Sequence, residues 1–137
     1  ALRVSLKIIL QLHSLVLAYF LSSISMKIYH NPQCSKSNAA LELLQQNGIT
    51  PEVISYLHDV PTKEELITLL DLLQLKPLQL IRTKELLFQE KFEGQNFTDE
   101  QWIDIMLQYP ELIERPILVN GDKAVIGRPV ERILDLL

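Results

Sequence analysis

Lys27-Ile28-Tyr29-His30-Asn31-Pro32-Gln33-Cys34-Ser35-Lys36-Ser37 is the stretch on which the reading of the fold turns. Lys27 to His30 is short, apolar and β-prone, and Asn31-Pro32 ends it abruptly, because a proline supplies no N–H to a strand ladder. From Ser37 to Asn47 the apolar residues Ala40, Leu43 and Leu44 recur at helical spacing, and Gly48 supplies the stop. A strand that passes through a polar loop into a helix leaves Cys34 near the helix start. Its sulfur then lies near free backbone N–H groups and the positive end of the helix dipole. Both favour thiolate over thiol, as does the cation of Lys36, and His30 is placed to add a hydrogen bond or a charge. The plainer reading of a lone cysteine is a small buried hydrophobe. The polar neighbours of Cys34 count against it.

Working outward, Val53 to Leu57 alternates as a second strand. Thr62-Lys63-Glu64-Glu65 is a capping box that opens a helix with Leu66, Leu69, Leu70 and Leu73 on one face. Pro77 to Leu87 predicts one or two short helices broken near Arg82-Thr83. A second capping box, Thr98 to Gln101, precedes Trp102, Ile105, Met106 and Tyr109, with Pro110 as the stop. Ile117 to Val119 and Lys123 to Ile126 flank Asn120-Gly121, a hairpin signal. Pro129 suits the first turn of a last helix that carries Val130, Ile133, Leu134 and Leu137 on one face. The order β-α-β, helical insertion, β-β-α predicts an α/β sandwich with a mixed central sheet, the order of the thioredoxin-like fold.

Composition narrows the function. A chain of 137 residues with 47% hydrophobic residues and a net charge of -4 is too apolar and too weakly charged to be disordered, and is of the length of one domain. A pI near 5.3 argues against nucleic acid as a partner, since phosphate neutralisation needs a basic surface. One cysteine excludes an internal disulfide and a multi-thiolate zinc site, and fits a reducing compartment, most simply the cytoplasm. The four glycines, at 48, 94, 121 and 127, allow neither a Walker loop nor G-x-G-x-x-G. His13, His30 and His58 stand at no metal-ligand spacing, so no bound metal is expected.

Residues 1–25 differ from the rest. They hold no acid, two early cations (Arg3 and Lys7) and a long apolar run, whereas all 17 acidic residues follow Ser25. The segment reads as a signal peptide, as an anchor, or as upstream read-through before a domain that starts at Met26. A transmembrane span is disfavoured by Gln11, His13 and Ser14 within the run. The expected organisation is an apolar leader over 1–25, outside the domain, and one domain over 26–137.

Three arginines stand at predicted element boundaries: Arg82, Arg115 and Arg128, the last two followed directly by proline. Scattered arginines are usually solvated. Three at the loops of a fold whose other loop carries a nucleophile point to an oxyanion, because convergent guanidinium groups bind a tetrahedral anion and depress a nearby thiol.

Tyr29-His30-Asn31-Pro32-x-Cys34-Ser35-Lys36-Ser37, with Glu114-Arg115-Pro116-Ile117 and Gly127-Arg128-Pro129, resembles the glutaredoxin-coupled arsenate reductases over Met26 to Leu137. The resemblance implies a thioredoxin-like fold with a helical insertion. It assigns the nucleophile to Cys34, the histidine that tunes it to His30, and the oxyanion-binding arginines to Arg82, Arg115 and Arg128. It also implies a cis peptide bond before Pro116. Asn38 departs from the pattern, since members often carry arginine there. The related stress regulators of RNA polymerase bear C-x-x-C, and Ser37 rules out that switch here.

What the resemblance implies chemically is reduction of arsenate to arsenite. The Cys34 thiolate attacks arsenate and expels hydroxide, and an external thiol resolves the adduct, with glutathione as cosubstrate and glutaredoxin as partner. No bound organic cofactor is called for. The competing readings are a glutathione-linked thiol-disulfide oxidoreductase and a non-catalytic partner-binding domain of the same fold. The co-occurrence of His30, Cys34 and three arginines favours the enzyme.

Overall fold

In the computed structural model the backbone is described for residues 2–24 and 26–137, and side chains for 5–17 and 26–137. Four strands form one sheet: β1 (Met26–Tyr29), β2 (Glu52–Ile54), β3 (Ile117–Asn120) and β4 (Lys123–Ile126), in the order β2-β1-β3-β4. β1 runs parallel to β2 and antiparallel to β3, and β3 and β4 form the terminal hairpin. The helices are α1 (Leu2–Ile24), α2 (Ser35–Gln46), α3 (Lys63–Leu73), α4 (Leu86–Lys91) and α5 (Asp99–Gln108). This is the mixed sheet and helical insertion expected of the thioredoxin-like fold.

Alternation along the strands builds two cores. Met26, Ile28, Leu118 and Val125 face one side, where Ala40 and Leu44 of α2 and Ile133 close over them. Tyr29 and Ile117 face the other side with the leucines of α3, with Trp102, Ile103 and Met106 of α5, and with Leu80, Phe88 and Leu112. Burial of each such side chain stabilises the fold by about 1.5–3 kcal/mol relative to exposure. Phe97 meets Trp102 edge-on at 4.8 Å, and Phe88 stacks on it at 5.9 Å, so the insertion has its own aromatic core. Both capping boxes form: Glu65 N–H donates to Thr62 Oγ1 at 3.1 Å and Gln101 N–H to Thr98 Oγ1 at 3.2 Å.

The structure differs from the sequence reading at several element ends: α4 spans Leu86–Lys91 and so runs past Leu87, β1 begins at Met26, and α2 begins at Ser35. β2 ends at Ile54 rather than Leu57, because the chain turns at Ser55, whose carbonyl accepts the N–H groups of His58 and Asp59 at 2.9 Å. Asn120 is paired with Lys123 rather than lying in the hairpin loop, which is Gly121-Asp122, with Gly121 at φ +62° as such a tight turn requires. Val130–Leu136 is a 3₁₀ helix rather than an α-helix, with Pro129 as its N-cap. Its three-residue repeat turns Val130, Ile133 and Leu136 to the core, while Leu134 and Leu137, expected on that face, are exposed.

α1 has every described side chain exposed, including Leu6, Ile9 and Val16 at 60% or more, and it joins neither core. Among the described residues no helix is long and apolar enough to cross a membrane.

Candidate active site

Cys34 is the N-cap residue of α2, with extended backbone and a buried side chain. The loop before it is held by its own polar groups. Gln33 N–H donates to Asn31 Oδ1 at 3.0 Å, and Cys34 N–H to the Asn31 carbonyl at 3.0 Å. Asn38 donates its side-chain amide to the Pro32 carbonyl at 2.9 Å and so clips the loop to the first turn of α2.

Ser37 is fully buried beneath that loop, a position that sequence reasoning missed as a support. Its Oγ accepts the Asn31 N–H at 3.0 Å and lies 2.6 Å from His30 Nδ1. Burial lowers His30 below its ordinary 6.5, against the opposing effect of Ser37. With Asn31 supplying one proton to Ser37, the Ser37 hydroxyl has its own proton to give to Nδ1. His30 is thus braced behind the loop by Ser37, in surroundings whose burial disfavours its charged form.

Burial by itself pushes the Cys34 thiol up. The Ser37 N–H, the Arg115 guanidinium, the Lys36 N–H and the Arg128 guanidinium together outweigh it, and the thiol lies below its ordinary 9.0. The contribution of Lys36 is thus its backbone N–H at the helix start. Its side chain is exposed, and the ammonium is not among the groups that lower Cys34.

The arginines converge. Arg82, Arg115 and Arg128 line one cleft of about 390 Å³, together with Lys84, Glu85 and Glu114. Arg82 follows the short bridge between Ile81 and Ile113, with its N–H on the Leu112 carbonyl at 2.7 Å and its Nη1 on the Glu111 carbonyl at 3.0 Å. Its other guanidinium nitrogen pairs with Glu85. Arg115 precedes β3, and Arg128 follows β4, so antiparallel pairing brings both to the same end of the sheet. Arg128 Nε donates to the Arg115 carbonyl at 2.8 Å and contacts Glu114 Oε1 at 3.0 Å, and its Nη2 lies 3.9 Å from Cys34 Sγ. Arg115 Nη1 is 3.7 Å from the same Glu114 oxygen.

Glu85 and Glu114 offset two of the four positive charges that line the cleft, those of Arg82, Lys84, Arg115 and Arg128, so it keeps a net attraction for an anion while its guanidinium groups are held in place. Neither carboxylate was singled out from the sequence, although Glu114 lies in the quoted Glu114-Arg115-Pro116 motif. The Arg115-Pro116 peptide bond is cis, as the resemblance implied, and so is Arg128-Pro129. Gly127 sits where the chain passes closest to Pro116: a Cβ there would lie 3.0 Å from Pro116 Cγ and 3.1 Å from Ile133 Cγ2. Among the described residues no group of three or more His, Cys, Asp or Glu side chains could hold a metal ion. A fixed, electron-rich sulfur beside a cationic cleft is an arrangement for nucleophilic attack on a tetrahedral oxyanion.

Comparison with known proteins agrees with this chemistry. The model of the ArsC family matches residues 29–136. An uncharacterized protein of Escherichia coli K12, YfgD, is 43% identical over 116 residues, which cover 81% of this chain and 95% of that protein. An arsenate reductase of Acidiphilium multivorum is 40% identical over 111 residues, 80% of this chain and 79% of that one. Among solved structures, an arsenate reductase from Vibrio cholerae superposes with a TM-score of 0.79 at 43% identity, over 83% of this chain and 98% of its own. From the Cys34 loop to the last turn the whole folded body is accounted for in this way, and the chain is a member of the ArsC family.

Proposed function

We propose that this protein reduces arsenate to arsenite, with Cys34 as nucleophile and Arg82, Arg115 and Arg128 as the oxyanion site. The observation that carries the reading is the buried Cys34 sulfur, lowered toward thiolate by Arg115 and Arg128, which line one cleft with Arg82. The arsenate reductases among its relatives supply the substrate. The Cys34 thiolate attacks arsenic(V), an S–As bond forms, and one oxygen leaves as hydroxide or, once protonated, as water. Arginine forks fixed beforehand stabilise the charge that builds on the remaining oxygens.

The chain has no second cysteine, so the adduct needs an external thiol. Glutathione suits the role: its sulfur bonds to that of Cys34, the S–As pair stays on arsenic, and arsenite leaves as arsenic(III). The two sulfurs, now a mixed disulfide, have given up the two electrons that arsenic gained. A dithiol protein of the glutaredoxin type then restores the Cys34 thiol. Such chemistry belongs in a thiol-rich compartment, the cytoplasm, and is assigned to residues 26–137, with α1 outside it.

The test is coupled turnover with arsenate, glutathione, glutaredoxin, glutathione reductase and NADPH. Arsenate-dependent NADPH oxidation is expected for the natural sequence, with complete loss in Cys34→Ser. Turnover of a glutathionylated peptide with none of arsenate would replace this reading by a thiol-disulfide oxidoreductase.

A further inference from the structure

Tyr56 lies in the turn that cuts β2 short, where the hydrogen bonds to the Ser55 carbonyl bend the chain inward. Its side chain is 1% exposed, and it packs in the core that contains Leu66, Leu80 and Ile117. Its hydroxyl has no hydrogen-bond partner among the described residues. A buried hydroxyl left in that state is destabilising, and a phenylalanine would avoid the cost. The hydroxyl is not in a neutral part of the molecule. The charged and ionisable groups whose fields act on it are Arg115, Arg82, Cys34 and Glu114, which are the groups of the proposed site. The only other buried side-chain atom without a partner among the described residues is Arg115 Nε, a donor of that same site.

We propose that Tyr56 is a fourth ligand of the oxyanion, a neutral donor that gives its O–H to an oxygen of the tetrahedral anion held by Arg82 and Arg115. The proposal rests on the arsenate reading of the cleft and adds a residue that carries no charge to it. Burial pushes the Tyr56 hydroxyl up to about 12 against the pull of Arg115 and Arg82, so it keeps its proton across the neutral range. A donor that does not ionise suits a site already crowded with charge. It fixes one oxygen in direction without adding a counter-ion that must be balanced when the site is empty of anion.

Tyr56→Phe removes the oxygen and keeps the ring. Cys34 alkylation by iodoacetamide, with and without arsenate and with no second thiol present, reads anion binding without turnover. The natural sequence is expected to be protected by arsenate. Tyr56→Phe should alkylate at the same rate without arsenate, melt no lower, and need roughly tenfold more arsenate for equal protection. In the coupled assay it should raise KM for arsenate with a smaller change in kcat. Equal protection of the two proteins would overturn the role of Tyr56 and leave the arsenate site standing. No protection of the natural sequence at any arsenate concentration would overturn both. A variant that loses protection together with its cooperative melting transition would make Tyr56 a packing residue and also defeat the proposal.

Discussion

The Cys34 loop and the arginine cleft are neighbours built on opposite plans. The hydrogen bonds within the loop join residues no more than seven positions apart, Asn31 to Gln33, Cys34 and Ser37, Pro32 to Asn38 and His30 to Ser37, and the His30 N–H ties its start to the Ile54 carbonyl of β2 at 2.9 Å. The cleft is assembled from chain segments at 82, 115 and 128, held by a bridge between Ile81 and Ile113 and by the β3–β4 hairpin. The loop can therefore take shape as soon as α2 docks on the sheet, whereas the cleft exists only when the insertion and the hairpin are both in place. They meet at one contact, Arg128 Nη2 at 3.9 Å from Cys34 Sγ, and through the field of Arg115. The proposed nucleophile, on a local scaffold, and the proposed anion site, on a distributed one, can therefore be weakened separately.

The largest separation is expected on the cleft side. Arg115→Ala should lower kcat/KM for arsenate about ten- to a hundred-fold, since charge-assisted hydrogen bonds of this kind contribute roughly 1.5–3 kcal/mol. It should also raise the pH midpoint of Cys34 alkylation, because it removes the stronger of the two guanidinium fields on that thiol. Arg128→Ala should act in the same direction. The double variant should lose less than the product of the two, because both arginines share Glu114 and Cys34. Strict additivity would mean that the two do not serve one site.

On the loop side the expected effect is on stability. Ser37→Ala removes the hydroxyl that pairs with His30 Nδ1 and accepts the Asn31 N–H, and should cost about 1–3 kcal/mol in urea unfolding. The alkylation midpoint should move little, because the Ser37 backbone N–H that favours the thiolate is retained. A large rise in that midpoint would show that the hydroxyl, and not the backbone, tunes the sulfur.

The smallest effect is a dependence on pH. Burial holds His30 below its unfolded value of 6.5, so the folded state takes up its proton less readily than the unfolded state. Its contribution to stability is complete above 6.5 and is lost as pH falls through the lowered folded value. Unfolding midpoints measured from about pH 8 down to about pH 5 should decline more steeply for the natural sequence than for His30→Asn, which does not titrate. Parallel curves would mean that His30 is as free to protonate folded as unfolded.

What could be read without the structure follows the same division. Strand, loop and helix around Cys34 are dictated by residues adjacent in sequence: a β-prone run, a proline, a helical stripe and a glycine stop. The two capping boxes and the hairpin follow from equally short patterns, and so does the order that defines the fold. Where an element's end depends on something distant, the pattern misleads. Leu134 and Leu137 look like core residues at α-helical spacing, but the last helix winds with three residues per turn against α2 and the sheet and leaves both exposed.

Element order, the seat of Cys34 at a helix start and a shortlist of cations are legible from the residues alone, because those properties depend on propensity and short-range spacing. The cleft shared by Arg82, Arg115 and Arg128, the carboxylates of Glu85 and Glu114 within it, and the Ser37 brace on His30 arise only when the folded chain brings these segments together. Tertiary structure alone brings the Tyr56 hydroxyl, in a turn with no signal of function, into the field of that cleft. Burial and electrostatics depend on distances between residues far apart in the chain, and those distances exist only once the sheet has closed.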